Sequence, residues 1–312
     1  MANENRHSTQ QTSGGQLASV MSDEVVEQLF DGTDLRSLMQ FHDVDGFTGS
    51  DTVDITQLPA PAATAAASSE ISGGQSNSAF TTARFQLVWA RRVLQYQSTD
   101  LLAINGGPVQ QAAVISRLLW SVTLTLTDML TALFPALAND VGPGTGVDLD
   151  VDSMYAAQYQ LNGQNVPGPF AAVLHNEQFN NFQSSLRGET GAKAFQDPAT
   201  SDMLRAMGPG WKGSWNNVNF WQSDSVTAVA SSADRSGAMF GFGCFGYTLR
   251  DWRRIVGEGM LDSNDVRDDF GPGGFVERVR DGTNGMTALI LNTYPAVVAQ
   301  EDLRGVEIIS DL

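Results

Sequence analysis

The chain has 312 residues, 42% of them hydrophobic and only 17% charged, and it carries a net charge of −17. That length supports one large domain or two modest ones around a real core, and the composition excludes a disordered chain. The charge excludes a broad, tight nucleic-acid binder, which must neutralise phosphates. An acidic wall that merely encloses DNA is still allowed, because repulsion keeps the polymer from adhering to it.

Positive charge is nearly all arginine, the lysines being Lys193 and Lys212 alone. Cys244 is the only cysteine, so an intramolecular disulfide cannot form. Met1 to Gly15 is polar and lacks the apolar run of a signal peptide.

Residues 1–20 read as a polar arm. Ser22 can cap a short helix over Asp23–Phe30, with Val25, Val26, Leu29 and Phe30 as its apolar stripe. Asp51 to Leu58 alternates polar and apolar residues and predicts a strand. Pro59 to Asn77 is rich in Ala, Ser, Pro and Gly, the texture of a loop tip. Thr82 to Trp89 predicts the returning strand.

Together these make a hairpin-like excursion from about Asp43 to Leu87. Each limb of roughly sixteen residues could reach about 50 Å, whereas a compact body of this length has a radius of about 25 Å. Val53, Ile55, Leu58, Phe85 and Leu87 then need another molecule to cover them, unless the arm folds back onto its own core.

Val109 to Leu133 predicts a long helix of about 40 Å. Its expected stripe is Val109, Ala112, Ala113, Ser116, Leu119, Trp120, Thr123, Leu126, Leu130 and Leu133. It opens after Asn105-Gly-Gly-Pro108 and closes near Pro135. Ala112 to Ala138 is apolar enough to suggest a membrane span, but Arg117 and Asp128 interrupt it, with hydroxyl residues between.

Helices are predicted over Asp152–Leu161 and Glu177–Arg187, with a strand over Phe170–His175 between them. Short strands follow at Val218–Phe220, Val226–Ala230 and Ala238–Phe245. Phe275–Arg280 and Met286–Leu291 flank Asn284-Gly285, a hairpin signal, and Val306–Ser310 is a last strand.

Gly241-Phe-Gly-Cys-Phe-Gly246 matches the dinucleotide fingerprint in letters, but no alternation of strands and helices surrounds it and phenylalanines crowd it. Close-packed glycines in a strand are the expectation. Asp43, Asp45, Asp51 and Asp54 miss the spacing of a calcium loop, and Asp148, Asp150 and Asp152 lack its central glycine. His7, His42 and His175 do not cluster, and no second cysteine exists for zinc. No catalytic, cofactor-binding or metal-binding residue is expected. Trp211, Trp215 and Trp221 could stack bases or sugars, but core or interface packing suits an acidic chain better.

The order of these elements resembles that of the tailed-bacteriophage major capsid proteins, whose α+β architecture is the Hong Kong 97-type fold. Encapsulins look similar. Gly49 to Thr56 and Thr82 to Trp89 are similar to the two strands of that family's extended E-loop. Val109 to Leu133 resembles its spine helix. Pro169 to Asn176 and the helix after it resemble a peripheral-domain segment, Gly208 to Val226 the axial domain, and Gly305 to Asp311 the closing strand.

The resemblance implies an N-terminal arm at 1–42, an E-loop at 43–90, a peripheral domain with spine helix at 91–190, an axial domain at 191–274 and return strands at 275–312. It implies hexamers and pentamers of the chain, closed into an icosahedral virion capsid around double-stranded DNA and assembled in the host cytoplasm. The implied partners are other copies of the chain, a separate scaffolding protein, a portal protein and a cement or decoration protein, with no membrane and no cofactor. Some relatives weld subunits through an E-loop lysine, and residues 43–90 contain none. The short segment before the E-loop leaves no room for a large fused scaffolding domain.

Arg84, Arg91 and Arg92 cluster where the arm rejoins the body and are expected to pair with acids on neighbouring copies, beside apolar contacts from Val53, Ile55 and Phe85. The alternatives are an encapsulin-like compartment, another virion structural protein, or an enzyme with convergent carboxylates.

Overall fold

The computed structural model describes residues 34–43, 52–57, 83–99, 117–118, 120–188, 195, 207, 210–229, 234–249, 266–267 and 274–311. The expected Asp23–Phe30 helix, the Pro59–Asn77 tip and the opening of the long helix lie outside these residues.

In chain order the strands are β1 (Gln40–Phe41), β2 (Thr52–Gln57), β3 (Ala83–Val88), β4 (Arg92–Thr99), β5 (Asp140–Val141), β6 (Phe170–Leu174), β7 (Trp211–Trp215) and β8 (Val218–Gln222). They continue as β9 (Ala228–Val229), β10 (Asp234–Phe240), β11 (Phe245–Leu249), β12 (Val266–Arg267), β13 (Gly274–Asp281), β14 (Met286–Thr293), β15 (Pro295–Ala299) and β16 (Gly305–Ser310).

The main core is built on a mixed sheet in the order β5-β16-β10-β6-β8-β7, with β9 beside β10. Its central strands are apolar on both faces, as a sheet covered on both sides requires. From β6, Phe170, Ala172 and Leu174 face one core cluster and Val173 faces another. From β8, Phe220 joins the first cluster and Trp221 the second.

The first face is covered by two helices, Val151–Gly163 and Asn176–Gly188. The first helix starts where the Asp150 carboxylate accepts the Ser153 backbone N–H at 2.8 Å, a side-chain N-cap. It buries Met154, Ala157 and Leu161, and the second helix buries Phe179 and Phe182. Phe182 stacks on Phe220 with ring centroids 5.1 Å apart.

The long helix is described at 117–118 and 120–131. Leu118, Val122, Leu126, Leu130 and Phe134, four residues apart, form its buried stripe. The expected stripe is right at Thr123, Leu126 and Leu130, which are buried, and off at Trp120 and Leu133, which are only half-buried. The physical reason is that the helix is apolar nearly all round, so its periodicity does not fix one face. Thr123, Thr127 and Thr131 are buried beside that stripe. Hydroxyls on this helix return to its own backbone, Ser121 donating to the Leu118 carbonyl and Thr125 to that of Ser121. No helix among the described residues is long and apolar enough to cross a membrane.

This helix joins two units. Leu130 and Phe134 pack on the second face of the mixed sheet. Leu118, Val122 and Leu126 pack on Val276 and Leu291 of another sheet, ordered β12-β13-β14-β4. A small third sheet, β1-β11-β15, bridges them, Tyr247 and Val297 touching both clusters.

One expectation is corrected here. The chain does not run as one strand from Ala238 to Phe245: it turns at Gly241–Cys244 and enters another sheet as β11. Gly243 takes a φ of +82° in that turn, and a Cβ on Gly241 would sit 2.4 Å from Val166. The glycines therefore serve a turn and close packing, and the fingerprint opens no helix. The mixed sheet draws its strands from the segments expected at 91–190, 191–274 and 275–312 alike. It takes β6 from one expected segment, β7, β8 and β10 from the next and β16 from the last, because adjacent strands are chosen by burial rather than by chain proximity.

One buried side chain ties these layers. Gln178, fully buried, accepts the His175 N–H at 3.1 Å and donates to the Arg235 carbonyl at 3.0 Å and to Ser310 Oγ at 2.9 Å. Gln178→Leu leaves those groups unpaired in the core and is expected to cost on the order of 3 kcal/mol, read as a lowered urea midpoint with an unchanged slope.

Candidate assembly surface

β2 and β3 pair antiparallel, with Val53 opposite Leu87, Ile55 opposite Phe85 and Thr56 opposite Arg84. Residues opposite one another share a face, and the faces alternate along a strand. One face of this arm is thus Val53, Leu87, Ile55 and Phe85. The other carries Asp54, Gln86, Thr56 and Arg84, with Gln86 donating to Asp54 at 3.2 Å.

The apolar face is covered unevenly. At the root, Val53 is 4% exposed and Leu87 0%, and both pack with Trp89 and with Ala296 and Val298 of β15. One pair further along, Ile55 and Phe85 are only half-buried, Phe85 lying 5.6 Å from the His42 ring. The expectation that every apolar position of the arm needs a neighbour is corrected for Val53 and Leu87, which their own chain covers. β15 supplies that cover, and its sequence, Pro-Ala-Val-Val-Ala, was not read as a strand. Leu58 lies outside the described residues.

The arginines separate. Arg84 is exposed on the arm's polar face, and Arg92 is exposed at the start of β4. Among the described residues neither pairs with an acid. Arg91 is held by its own chain: Nε and Nη2 donate to Asn292 Oδ1 at 2.9 and 2.6 Å. That corrects the expectation that all three reach neighbouring acids.

The β13–β14 hairpin is a second exposed surface. Its strands pair from Gly274–Thr293 to Asp281–Met286. Gly285 turns it with a φ of +59°. The Asp281 carboxylate accepts the Thr283 and Asn284 N–H groups and the Asn284 side chain, and these bonds hold its pKa below the ordinary value. The face toward the long helix holds Val276 and Leu291. On the opposite face Val93 is 50% and Val279 40% exposed. β4, which sequence reading missed, pairs with β14 along its whole length and leaves its other side free of any described strand.

Nothing described gathers catalytic groups. No cluster of three His, Cys, Asp or Glu side chains fit for a metal occurs among the described residues. Asp148 accepts Asn181, Asp150 caps a helix, and Asp152 lies in that helix's first turn. A cavity of about 340 Å³ is walled by Leu38, Pro167, Phe170, Trp221, Phe240 and Phe242 and, among the described residues, holds no acid or histidine. Trp211, Trp215 and Trp221 are buried in the core. Burial pushes the Cys244 thiol far up, leaving it unreactive. Burial, then the charge of Arg235, holds His175 below its ordinary range, and burial lowers His42 as well.

No family model matches the sequence, and no curated protein does. Solved structures do match. The capsid of Ralstonia phage GP4 is 8% identical at a TM-score of 0.67, covering 96% of each chain. A chain of Mycobacterium phage Che8 is 15% identical at 0.57, covering 93% of this chain and 95% of its own. The SrpI encapsulin of Synechococcus elongatus is 11% identical at 0.59, covering 97% and 94%. The chain therefore has the α+β Hong Kong 97-like capsid fold.

One group in this fold titrates in an unusual direction. Glu307 of β16 is almost fully buried and accepts Ser236 Oγ at 2.5 Å. Burial raises its pKa above the ordinary 4.5; the Ser236 bond lowers it and nearby Asp140 raises it again. A raised folded pKa means the folded chain holds the proton more tightly than the unfolded chain. Stability is then greatest below the ordinary glutamate value and falls as pH rises through the folded one. Glu307→Gln keeps an acceptor for Ser236 without the charge. It is expected to raise Tm at pH 7, with the gain vanishing near pH 4, measured by scanning calorimetry across that range.

Proposed function

We propose that this chain is the major capsid protein of a tailed bacteriophage, a non-enzymatic subunit that closes as hexamers and pentamers into an icosahedral shell around double-stranded DNA. The observation that carries the reading is likeness to phage capsid chains over more than nine-tenths of this chain, joined to an arm whose apolar face is only partly covered at Ile55 and Phe85. Closed symmetric assembly suits such an arm, since many modest contacts add within one ring.

In this reading residues 43–90 are the E-loop that lies across a neighbour, and Ile55, Phe85, Arg84 and Arg92 touch that neighbour. The long helix and the β13–β14 hairpin form the peripheral unit, and the mixed sheet that holds β7 and β8 is the axial one. The arm has no lysine to weld subunits, so the shell is held by non-covalent contacts and a cement or decoration protein. A separate scaffolding protein and a portal protein complete the assembly, in the host cytoplasm, and the chain ends in the virion. Its net charge of −17 keeps packaged DNA from adhering.

A second reading is favoured by one observation, the SrpI encapsulin likeness over 97% of this chain: a protein compartment that encloses cargo instead of DNA.

Electron microscopy of the protein co-expressed with a scaffolding protein, followed by nuclease-protected DNA measurement in particles from infected cells, separates these. Closed shells with protected double-stranded DNA are expected. Shells that hold only protein select the compartment, and small oligomers without closure overturn both. In the same assay Arg84→Glu and Arg92→Glu are expected to lower shell yield, each reversal costing about 1 kcal/mol at every contact, with far-UV circular dichroism unchanged.

A further inference from the structure

The joint between arm and body is short. β3 ends at Val88 and β4 begins at Arg92, leaving residues 89–91 to set the angle between them. Both flanks of that joint are tied down, and both ties reach the same stretch of chain. On the arm side, Trp89, Val53 and Leu87 pack on Ala296 of β15. On the body side, the Arg91 fork grips Asn292 of β14 with two donors on one oxygen. β14 ends at Thr293 and β15 begins at Pro295, so only Tyr294 separates the two anchor strands.

That stretch is itself fixed. Thr293 pairs with Arg92 and Gly274 in one sheet. Ala296 pairs with Thr248 in another. Residues 292–299 therefore act as a rail common to the arm, the hairpin sheet and the small β11–β15 sheet.

We infer that Arg91 is the positioning residue of the arm: its fork on Asn292 fixes the direction in which the β2–β3 ribbon leaves the body, and hence where a second copy of this chain is met. The inference deepens the shell reading and rests on it for the second copy, but the clamp itself is a property of the single chain.

The chemistry is specific to arginine. A guanidinium presents two parallel donors from a planar fork, and a lysine offers a point charge on a flexible stem. Asn292 is nearly fully buried, its oxygen takes both donors, and its Nδ2 has no hydrogen-bond partner among the described residues. Asn292→Asp replaces that orphaned donor with a second acceptor and makes the pair charge-assisted. It should keep the clamp or tighten it.

The test reads hydrogen exchange, residue segment by residue segment, on the unassembled full chain and shell yield in parallel. In Arg91→Ala, exchange at 52–57 and 83–88 is expected to quicken about tenfold, the equivalent of losing a charged hydrogen bond. Exchange in the Val151–Gly163 helix and in β6 should not change. Arg91→Lys should exchange like Arg91→Ala, and Asn292→Asp like the parent chain or more slowly. Shell yield should fall with arm protection across the set. Unchanged arm exchange in Arg91→Ala overturns the clamp, as does a rise spread equally over the whole chain, or full rescue by lysine. A parent chain that forms no shell under any condition overturns the shell reading instead, and leaves the exchange result to decide the clamp.

Discussion

A two-stranded ribbon has one apolar face and nothing of its own to set against it. Such a ribbon is marginal in water unless something lies under it. In this chain β2 and β3 are that ribbon, and the first thing under it is β15. Ala296 and Val298 cover Val53 and Leu87, and the cover thins at Ile55 and Phe85. The rest of the architecture holds β15 where it can do this.

β15 is held on two sides. Through β11 it is tied to Phe245, which is packed against Phe134 and Phe240 in the core of the mixed sheet. Through Tyr294 it continues from β14, whose Leu291 sits against the long helix. The helix spans both units, so the arm's root reports the position of the whole body. Rigid interiors transmit displacement because they are packed to crystal-like density. An arm mounted in this way can set the spacing between copies without a covalent weld.

Much of this was legible in the sequence where one signal dominated. The alternation in Thr52–Gln57 and Ala83–Val88, the Asn284-Gly285 turn, and the helices at Val151–Gly163 and Asn176–Gly188 lie within a few residues of their predicted places. β4 was missed because Arg-Val-Leu-Gln-Tyr-Gln-Ser-Thr puts Val93 and Leu94 side by side, which breaks a period of two. β15 was missed because it opens with Pro295, a residue that reads as a strand breaker and is tolerated at a first position. The phase of the long helix was legible at Thr123, Leu126 and Leu130, and an all-round apolar surface hid Leu118 and Val122.

The candidate surface was legible as residues and not as contacts. Pattern alone placed Val53 and Ile55 on one face and could not tell that β15, more than two hundred residues later, would cover the first fully and the second only in part. Arg91 read as one of three surface arginines, and its fork on Asn292 depends on a pairing across |i−j| = 201. Sheet partners so distant leave no local signal. The Asn292 carboxamide is the exception in kind: a polar residue in an apolar strand, Ala-Leu-Ile-Leu-Asn, is a cue that something must satisfy it.

Thiol labelling tests the central claim most directly. The native thiol, Cys244, is buried and unreactive, so it gives no background. A cysteine placed at Ile55 should react with maleimide in dispersed protein and be protected in assembled particles, while one at Val53 should stay unreactive in both. Equal labelling of the Ile55 site before and after assembly would mean that no second copy covers the arm, and the account would fail.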